Sequence, residues 1–113
     1  KPDAFIVATP GVLKLCHDLV PDMPLHLSTQ ANVMNVLDAQ IYHEMGATRI
    51  ITAREISLKD LVAIKTELPD LELEVFVHGS MCFAYSGRCL ISTLQSGRVP
   101  NRGSCANDCR FEY

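Results

Sequence analysis

Residues 3–29 read DAFIVATPGVLKLCHDLVPDMPLHLST, and this stretch decides the predicted fold. DAFIVA (3–8) is a short apolar run and PLHLST (24–29) alternates apolar and polar residues as a strand does. PGVLKLCHDLV (10–20) between them has helical spacing of its apolar residues, with Pro10 suited to a first helical turn. A strand, a helix and a second strand on short loops predict a right-handed βαβ unit with parallel strands.

The same order continues along the chain. Three stretches extend it: ANVMNVLDAQIYHEM (31–45) as a helix stopped by Gly46, RIIT (49–52) as a strand, and LELEVFVHG (71–79) as a strand. Ser57, followed by Asp60 before LVAI, predicts a capped start for a further helix. The pattern predicts an α/β fold with about four parallel strands and three helices.

Helices alternating with parallel strands are typical of a (β/α)8 TIM-like barrel, but a barrel needs about 250 residues. The 113 residues here supply about half of one, so we interpret the chain as a piece of a longer protein. Residues 1–79 form the βα units of a single barrel domain and residues 80–113 form a loop segment rich in Cys and Arg. Unpaired strand edges in a half-barrel predict self-association.

Composition excludes several classes of protein. An apolar content of 48% excludes a disordered chain, and no apolar run approaches the roughly 20 residues that cross a bilayer. The N-terminus lacks the apolar region of a signal peptide. Five cysteines without an export signal indicate reduced thiols, which predicts a cytoplasmic location.

Charge is divided unevenly between the two parts of the chain. Residues 1–81 carry six basic and eleven acidic side chains, whereas residues 82–113 carry four arginines and two acidic residues. The arginines are Arg88, Arg98, Arg102 and Arg110. They suit an anionic cluster or a phosphate-bearing partner such as RNA, and solvated loop arginines are the alternative.

Four cysteines accompany these arginines, in the pattern C-x6-C-x15-C-x3-C: Cys82, Cys89, Cys105 and Cys109. Several thiolates close in sequence are what a metal ion or an iron–sulfur cluster requires. Two alternatives remain open, which are packing of the cysteines as small buried apolar groups and a structural zinc site. Cys16 stands apart on the first helix and is assigned to core packing.

Polar residues follow the predicted strands, where a barrel carries its chemistry. Gln30 and Asn32 follow the second strand, Arg54 and Glu55 the third, and His78 the fourth. Amide side chains can hydrogen-bond a ligand, and a guanidinium can hold a carboxylate or phosphate. Helix capping is the alternative role for Asn32.

The stretch ELEVFVHGSMCFAYSGRCLIS (72–92) resembles the signature of the collagenase-like peptidase family U32. NRGSCANDCR (101–110), STQAN (28–32) and AREIS (53–57) are also similar to the family, so the resemblance covers nearly the whole chain. It implies proteolysis, as reported for some members, or the hydroxylation of RNA or ubiquinone by others that carry a 4Fe-4S cluster on four cysteines.

The resemblance also implies which residues form the site. Cys82, Cys89 and Cys105 fall on family cysteine positions. Cys109 is the candidate fourth ligand by proximity, the alternative being a ligand beyond this chain. Glu74 lies within the signature, which suggests a carboxylate facing a pocket, and a structural ion pair is its alternative role.

Three functions follow as hypotheses. The first is an iron–sulfur-dependent hydroxylase of tRNA or rRNA bases, with Gln30, Asn32, Arg54, Arg88 and Arg102 as substrate-binding residues. The second is a collagenase-like endopeptidase, although neither GxSxG nor HExxH occurs. The third is a zinc-stabilised RNA-binding unit. The catalytic residue is left unassigned among Glu74, His78, Arg54 and Glu55, and this chain alone is expected to be inactive and to lack the cluster.

Overall fold

The computed structural model describes residues 1–112, in which strands and helices alternate. The strands are β1 (Phe5–Val7), β2 (Leu25–Leu27), β3 (Arg49–Ile51) and β4 (Glu72–Glu74), and the helices are α1 (Pro10–Leu19), α2 (Val36–Glu44), α3 (Leu58–Glu67) and α4 (Ile91–Ser96). All neighbouring strands pair in parallel, in the order β1-β2-β3-β4. The predicted α/β fold with four parallel strands is therefore confirmed. Within residues 1–112, no helix has the length and apolar content that crossing a membrane requires.

Two predictions about the helices were wrong. The structure has four helices instead of three, because α4 lies in the segment that was expected to be a loop. The second helix begins at Val36 and not at residue 31, since Asn32 adopts a left-handed conformation with φ of 58° and Asn35 caps the helix through the Asp38 amide. A left-handed residue cannot continue a right-handed helix.

The fourth strand is also shorter than the stretch 71–79. The last pair that β4 makes with β3 is Ile51↔Glu74. Because β3 ends there, the chain beyond Glu74 has no neighbouring strand and leaves the sheet. The apolar residues Val75, Phe76 and Val77 are consequently exposed.

Helix starts follow the local chemistry of the sequence. Thr9 caps α1, and Pro10 is its first residue. The Asp60 amide donates to Ser57 Oγ at 3.1 Å, which confirms the predicted capped start of α3. A side-chain oxygen in this position satisfies one of the amides that the first helical turn leaves free.

The helices α1, α2 and α3 pack on one face of the sheet. The fully buried side chains of this core come from both layers: Leu13, Leu25, Leu27, Val33, Ile50, Ile64 and Leu71. The opposite face carries a row of paired residues, Ile6, His26, Arg49 and Glu72, one from each strand. Ile6 is 65% exposed, so this row is uncovered in residues 1–112, whereas Ile51 farther along the same face of β3 is buried. The sheet is open, and the partial barrel stays a prediction.

Replacing Leu27 by Ala tests the position of the core. Leu27 is fully buried in the central strand β2. Leu27→Ala leaves a cavity, so we expect the free energy of unfolding in urea to fall by about 2–5 kcal/mol. Leu37→Ala is the matched control, since Leu37 is 72% exposed on α2. Equal losses for the two variants would contradict the assigned core.

Candidate cysteine site at the carboxyl end of the sheet

Four cysteines line a single cavity of about 220 Å³. Cys82 and Cys105 are exposed, whereas Cys89 and Cys109 are half-buried, and all four are free thiols. The cavity lies where the chain leaves the carboxyl ends of β2 and β3, since Gln30 and Arg54 also line it. Cysteines spread over 28 positions of the sequence, 82–109, therefore share one site.

The loop after β3 holds the segment that contains the first two cysteines. Arg54 Nη2 donates to the Ala84 carbonyl at 2.7 Å. The Glu55 carboxylate accepts from both the Ser86 amide and the Ser86 hydroxyl, each at 3.2 Å. Ser86 is only 1% exposed. Hydrogen bonds to charged groups contribute about 1.5–3 kcal/mol each, so these contacts fix the segment to the sheet.

The backbone of the loop after β2 packs closely against the backbone of the same segment. Gly87 has a φ of 74°, and a Cβ atom built on it would lie 2.6 Å from the Gln30 carbonyl oxygen. Glycine alone permits both the left-handed backbone and the missing side chain. Nearby, Asn32 Nδ2 donates to the Tyr85 hydroxyl, while the buried Asn32 Oδ1 has no partner within residues 1–112.

Contacts within the C-terminal segment hold each cysteine-bearing stretch in place. Asn101 Nδ2 donates to the Cys89 carbonyl at 2.9 Å, and Arg110 Nη2 donates to the Met81 carbonyl at 2.6 Å. The Ser96 hydroxyl at the end of α4 donates to Asp108 Oδ2 at 2.8 Å, next to Cys109. The helix α4 thus organises the loops that bear the last two cysteines.

The donor set has the chemistry of a metal or cluster site. Thiolates bind zinc and iron–sulfur clusters. In the described residues, however, no three His, Cys, Asp or Glu side chains converge closely enough to hold a single ion. A cluster takes one thiolate on each of several irons, so its ligands stand farther apart than those of one ion. Cys82, Cys89, Cys105 and Cys109 are the residues of this cavity that could hold such a group.

The predicted substrate residues divide into two groups. Gln30 and Arg54 line the cavity, and Asn32 reaches it through Tyr85. Arg88 and Arg102 are exposed and are absent from the described residues that line it. Arg110, which the sequence analysis counted only among the charges, lines the cavity.

The predicted catalytic candidates are likewise separated. Arg54 and Glu55 lie beside the cysteines and bond the docked segment. His78 is exposed and does not line the cavity, as far as the described residues show. Glu74 lies on the uncovered sheet face, where its carboxylate is 3.4 Å from Arg49 Nη1. This ion pair is the alternative that the sequence left open for Glu74.

Arg49 joins two strands through its carboxylate partners. Its Nη2 atom is 2.6 Å from Glu72 Oε2 on the neighbouring strand, in addition to the contact with Glu74. The hydrogen bond to Glu72 raises the pKa of Arg49 above its usual value. The ion pairs are partly exposed, so they contribute little stability.

The residues that dock the cysteine segment were not predicted from the sequence. Ser86 and Gly87 sit in the stretch that resembles the family signature, together with Tyr85. Their position in that stretch was the one sign in the sequence that they matter. The sequence does not reveal which strand-end residue each of them contacts.

The whole chain is similar to known proteins of one family. The sequence profile of peptidase family U32 matches residues 1–113. The chain is 70% identical to tRNA hydroxylation protein P of Helicobacter pylori strain J99 over all of its length and 27% of that protein. It is 48% identical to the Escherichia coli K12 tRNA hydroxylation protein P, over 99% of the chain and 25% of that protein.

A further relative acts on ribosomal RNA. The chain is 42% identical to the 23S rRNA 5-hydroxycytidine C2501 synthase of Escherichia coli K12, over 98% of the chain and 16% of that protein. The chain thus spans about a quarter or less of the length of these relatives. No solved structure matches it significantly.

Replacing Gly87 by Ala tests the docking of the cysteine segment. The Cβ atom of Ala at this position would clash with the Gln30 carbonyl oxygen. The positive φ would also strain the backbone of any residue other than glycine. Gly97 has a similar φ of 68° but open space around it, so Gly97→Ala is the matched control. We expect Gly97→Ala to lower the free energy of unfolding by about 1 kcal/mol and Gly87→Ala by clearly more. Equal effects would contradict the close approach.

Proposed function

This chain belongs to peptidase family U32, and we propose that its full-length form hydroxylates a nucleobase in tRNA or rRNA with the help of a 4Fe-4S cluster. The observation that carries the proposal is the convergence of four free cysteines on one cavity beside polar residues from the strand ends. Relatives that match nearly the whole chain are named for hydroxylation of tRNA and for synthesis of a hydroxylated cytidine in rRNA.

The proposed ligands are Cys82, Cys89, Cys105 and Cys109. When bound, a 4Fe-4S cluster would supply a centre that can transfer electrons. The half-buried positions of Cys89 and Cys109 support a cluster that is shielded on one side and open to a large substrate on the other. A zinc ion on the same cysteines is the alternative.

The roles of the chain's own residues follow from their contacts. Gln30 lines the cavity, and its side-chain amide has no recorded partner within residues 1–112, which leaves it able to bond a base edge. Arg110 lines the cavity and donates a hydrogen bond to the Met81 carbonyl. The exposed Arg88 and Arg102 are proposed to bind RNA phosphates away from the cavity.

We also propose that the four strands form part of a (β/α)8 barrel. Sequential strand order with the helices on one face supports this, because a barrel is wound in one direction and keeps its helices outside. The uncovered face with His26, Arg49 and Glu72 would then face the barrel interior. Self-association through the free sheet edges, a cytoplasmic location and a single domain stay predictions.

Metal analysis of the full-length chain, purified without oxygen, tests the cofactor. We expect iron and sulfide in equal amounts, with broad absorption at about 400 nm. Cys89→Ser removes one ligand and should abolish both the absorption and the added oxygen atom that mass spectrometry detects on one RNA nucleoside. Cys16→Ser is the control, since Cys16 is another half-buried free thiol and lies on α1.

The other two hypotheses have their own outcomes in the same experiment. Stoichiometric zinc without iron would replace the cluster by a structural metal. Hydrolysis of a gelatin or collagen peptide that is lost in Cys82→Ser, with no metal present, would favour the endopeptidase.

Replacing Gln30 by Ala tests the proposed substrate contact. Loss of one hydrogen bond to the base weakens binding by about 1 kcal/mol, so we expect KM for the RNA to rise about fivefold with unchanged iron content. Gln40→Ala is the control, because Gln40 lies on α2 and bonds Glu44. Iron loss in Gln30→Ala would instead assign Gln30 to the cluster site.

A further inference from the structure

Hydrogen bonds to a cysteine sulfur are concentrated on one of the four candidate ligands. The Asn107 amide donates to Cys105 Sγ at 3.4 Å, and the Ser92 hydroxyl lies 3.9 Å from the same sulfur. The thiol in turn faces Asn107 Oδ1 at 3.9 Å. Within residues 1–112, the sulfurs of Cys82, Cys89 and Cys109 have no recorded hydrogen bond. Cys105 is thus chemically distinct from the other three.

Ser92, on α4, contacts the loop that bears Cys105. It lies in the first turn of α4 and is fully buried, in a fold whose serines are otherwise mostly accessible. Its hydroxyl oxygen accepts the Ala106 amide at 3.2 Å, immediately after Cys105. One side chain therefore holds both the backbone next to this cysteine and its sulfur.

The direction of the hydroxyl proton follows from the chemistry of the ligand. A thiolate that binds iron has no proton, so it can only accept hydrogen bonds. The Ser92 oxygen already accepts from Ala106, which leaves its own proton free to point at Cys105 Sγ. A bound cluster would then receive two hydrogen bonds at this sulfur, from Ser92 and from the Asn107 amide.

We propose that Ser92 is a positioning residue that orients Cys105 and raises the reduction potential of the cluster through its hydroxyl. This inference rests on the proposed cluster and goes beyond it by assigning unequal roles to the four cysteines. A hydrogen bond to a ligand sulfur withdraws negative charge and so favours the reduced state, which carries one more electron. An iron bound by Cys105 would then have an electronic environment different from that of the irons bound by the other three cysteines.

The test compares two hydroxyl groups of the same helix, one buried and one exposed. Ser92→Ala removes the hydroxyl from Cys105, whereas Ser96→Ala removes a hydroxyl that bonds Asp108 and the Ser92 carbonyl and makes no recorded contact with the Cys105 sulfur. Both substitutions loosen the link between α4 and the C-terminal segment. The full-length chain is purified without oxygen, and the midpoint potential of its cluster is measured by redox titration with electron paramagnetic resonance detection.

We expect Ser92→Ala to shift the midpoint potential to a more negative value, Ser96→Ala to leave it at the wild-type value, and Ser92→Thr, which keeps a hydroxyl, to restore it. An unshifted Ser92→Ala, or an equal shift in Ser96→Ala, would overturn the role of Ser92 while the cluster itself stands. A wild-type chain without iron and sulfide would overturn the cluster, and the role of Ser92 with it.

A second measurement covers the case in which the Ser92 variants do not fold. Electron–nuclear double resonance of the wild-type protein in H2O and D2O detects exchangeable protons that couple to the cluster. Two strongly coupled exchangeable protons at one cysteine ligand support the hydroxyl and amide donors. One or none would contradict the proposed hydroxyl donor.

Discussion

The contact between the loop after β3 and residues 84–86 determines where the cysteines lie. Arg54 and Glu55 leave the sheet side by side, and they bind a carbonyl, an amide and a hydroxyl of the following segment. Ser86 is almost fully buried in this contact, so losing the carboxylate would leave its polar groups without partners. Without it, the contacts described between this segment and the strand ends would be the approach of Gly87 to Gln30 and the hydrogen bond from Asn32 to Tyr85.

The residues that form the apolar core are separate from the residues that line the cysteine cavity. The sheet and its three long helices bury one apolar core and have no part in lining the cavity beyond the ends of their strands. The C-terminal segment contributes few large apolar side chains to that core and is ordered by polar contacts such as Asn101 with Cys89 and Ser96 with Asp108. Polar contacts demand defined geometry, which suits a site that has to present several sulfurs at fixed positions.

Local chemistry explains which parts of the fold were predictable. The cap at Ser57, the proline at Pro10 and the alternation of β2 act within a few residues, and each was read correctly from the sequence. The start of α2 and the end of β4 were misplaced because each depends on a neighbour. Asn32 takes its left-handed backbone in the turn that approaches Tyr85, and β4 stops where β3 stops. The helix α4 was missed because its six residues are stabilised mainly by contacts with the later segment.

The sequence by itself determined the order of the four strands and of the first three helices, the family and the four candidate sulfur ligands, since these depend on residue type and spacing alone. The tertiary structure decided that the four cysteines share one cavity, that Arg54 and Glu55 dock the segment beside it, and that Cys105 alone among the four accepts recorded hydrogen bonds within residues 1–112. The physical reason is distance along the chain. Arg54 and Ala84 are 30 residues apart, and only the packed strand ends bring such groups within hydrogen-bonding range.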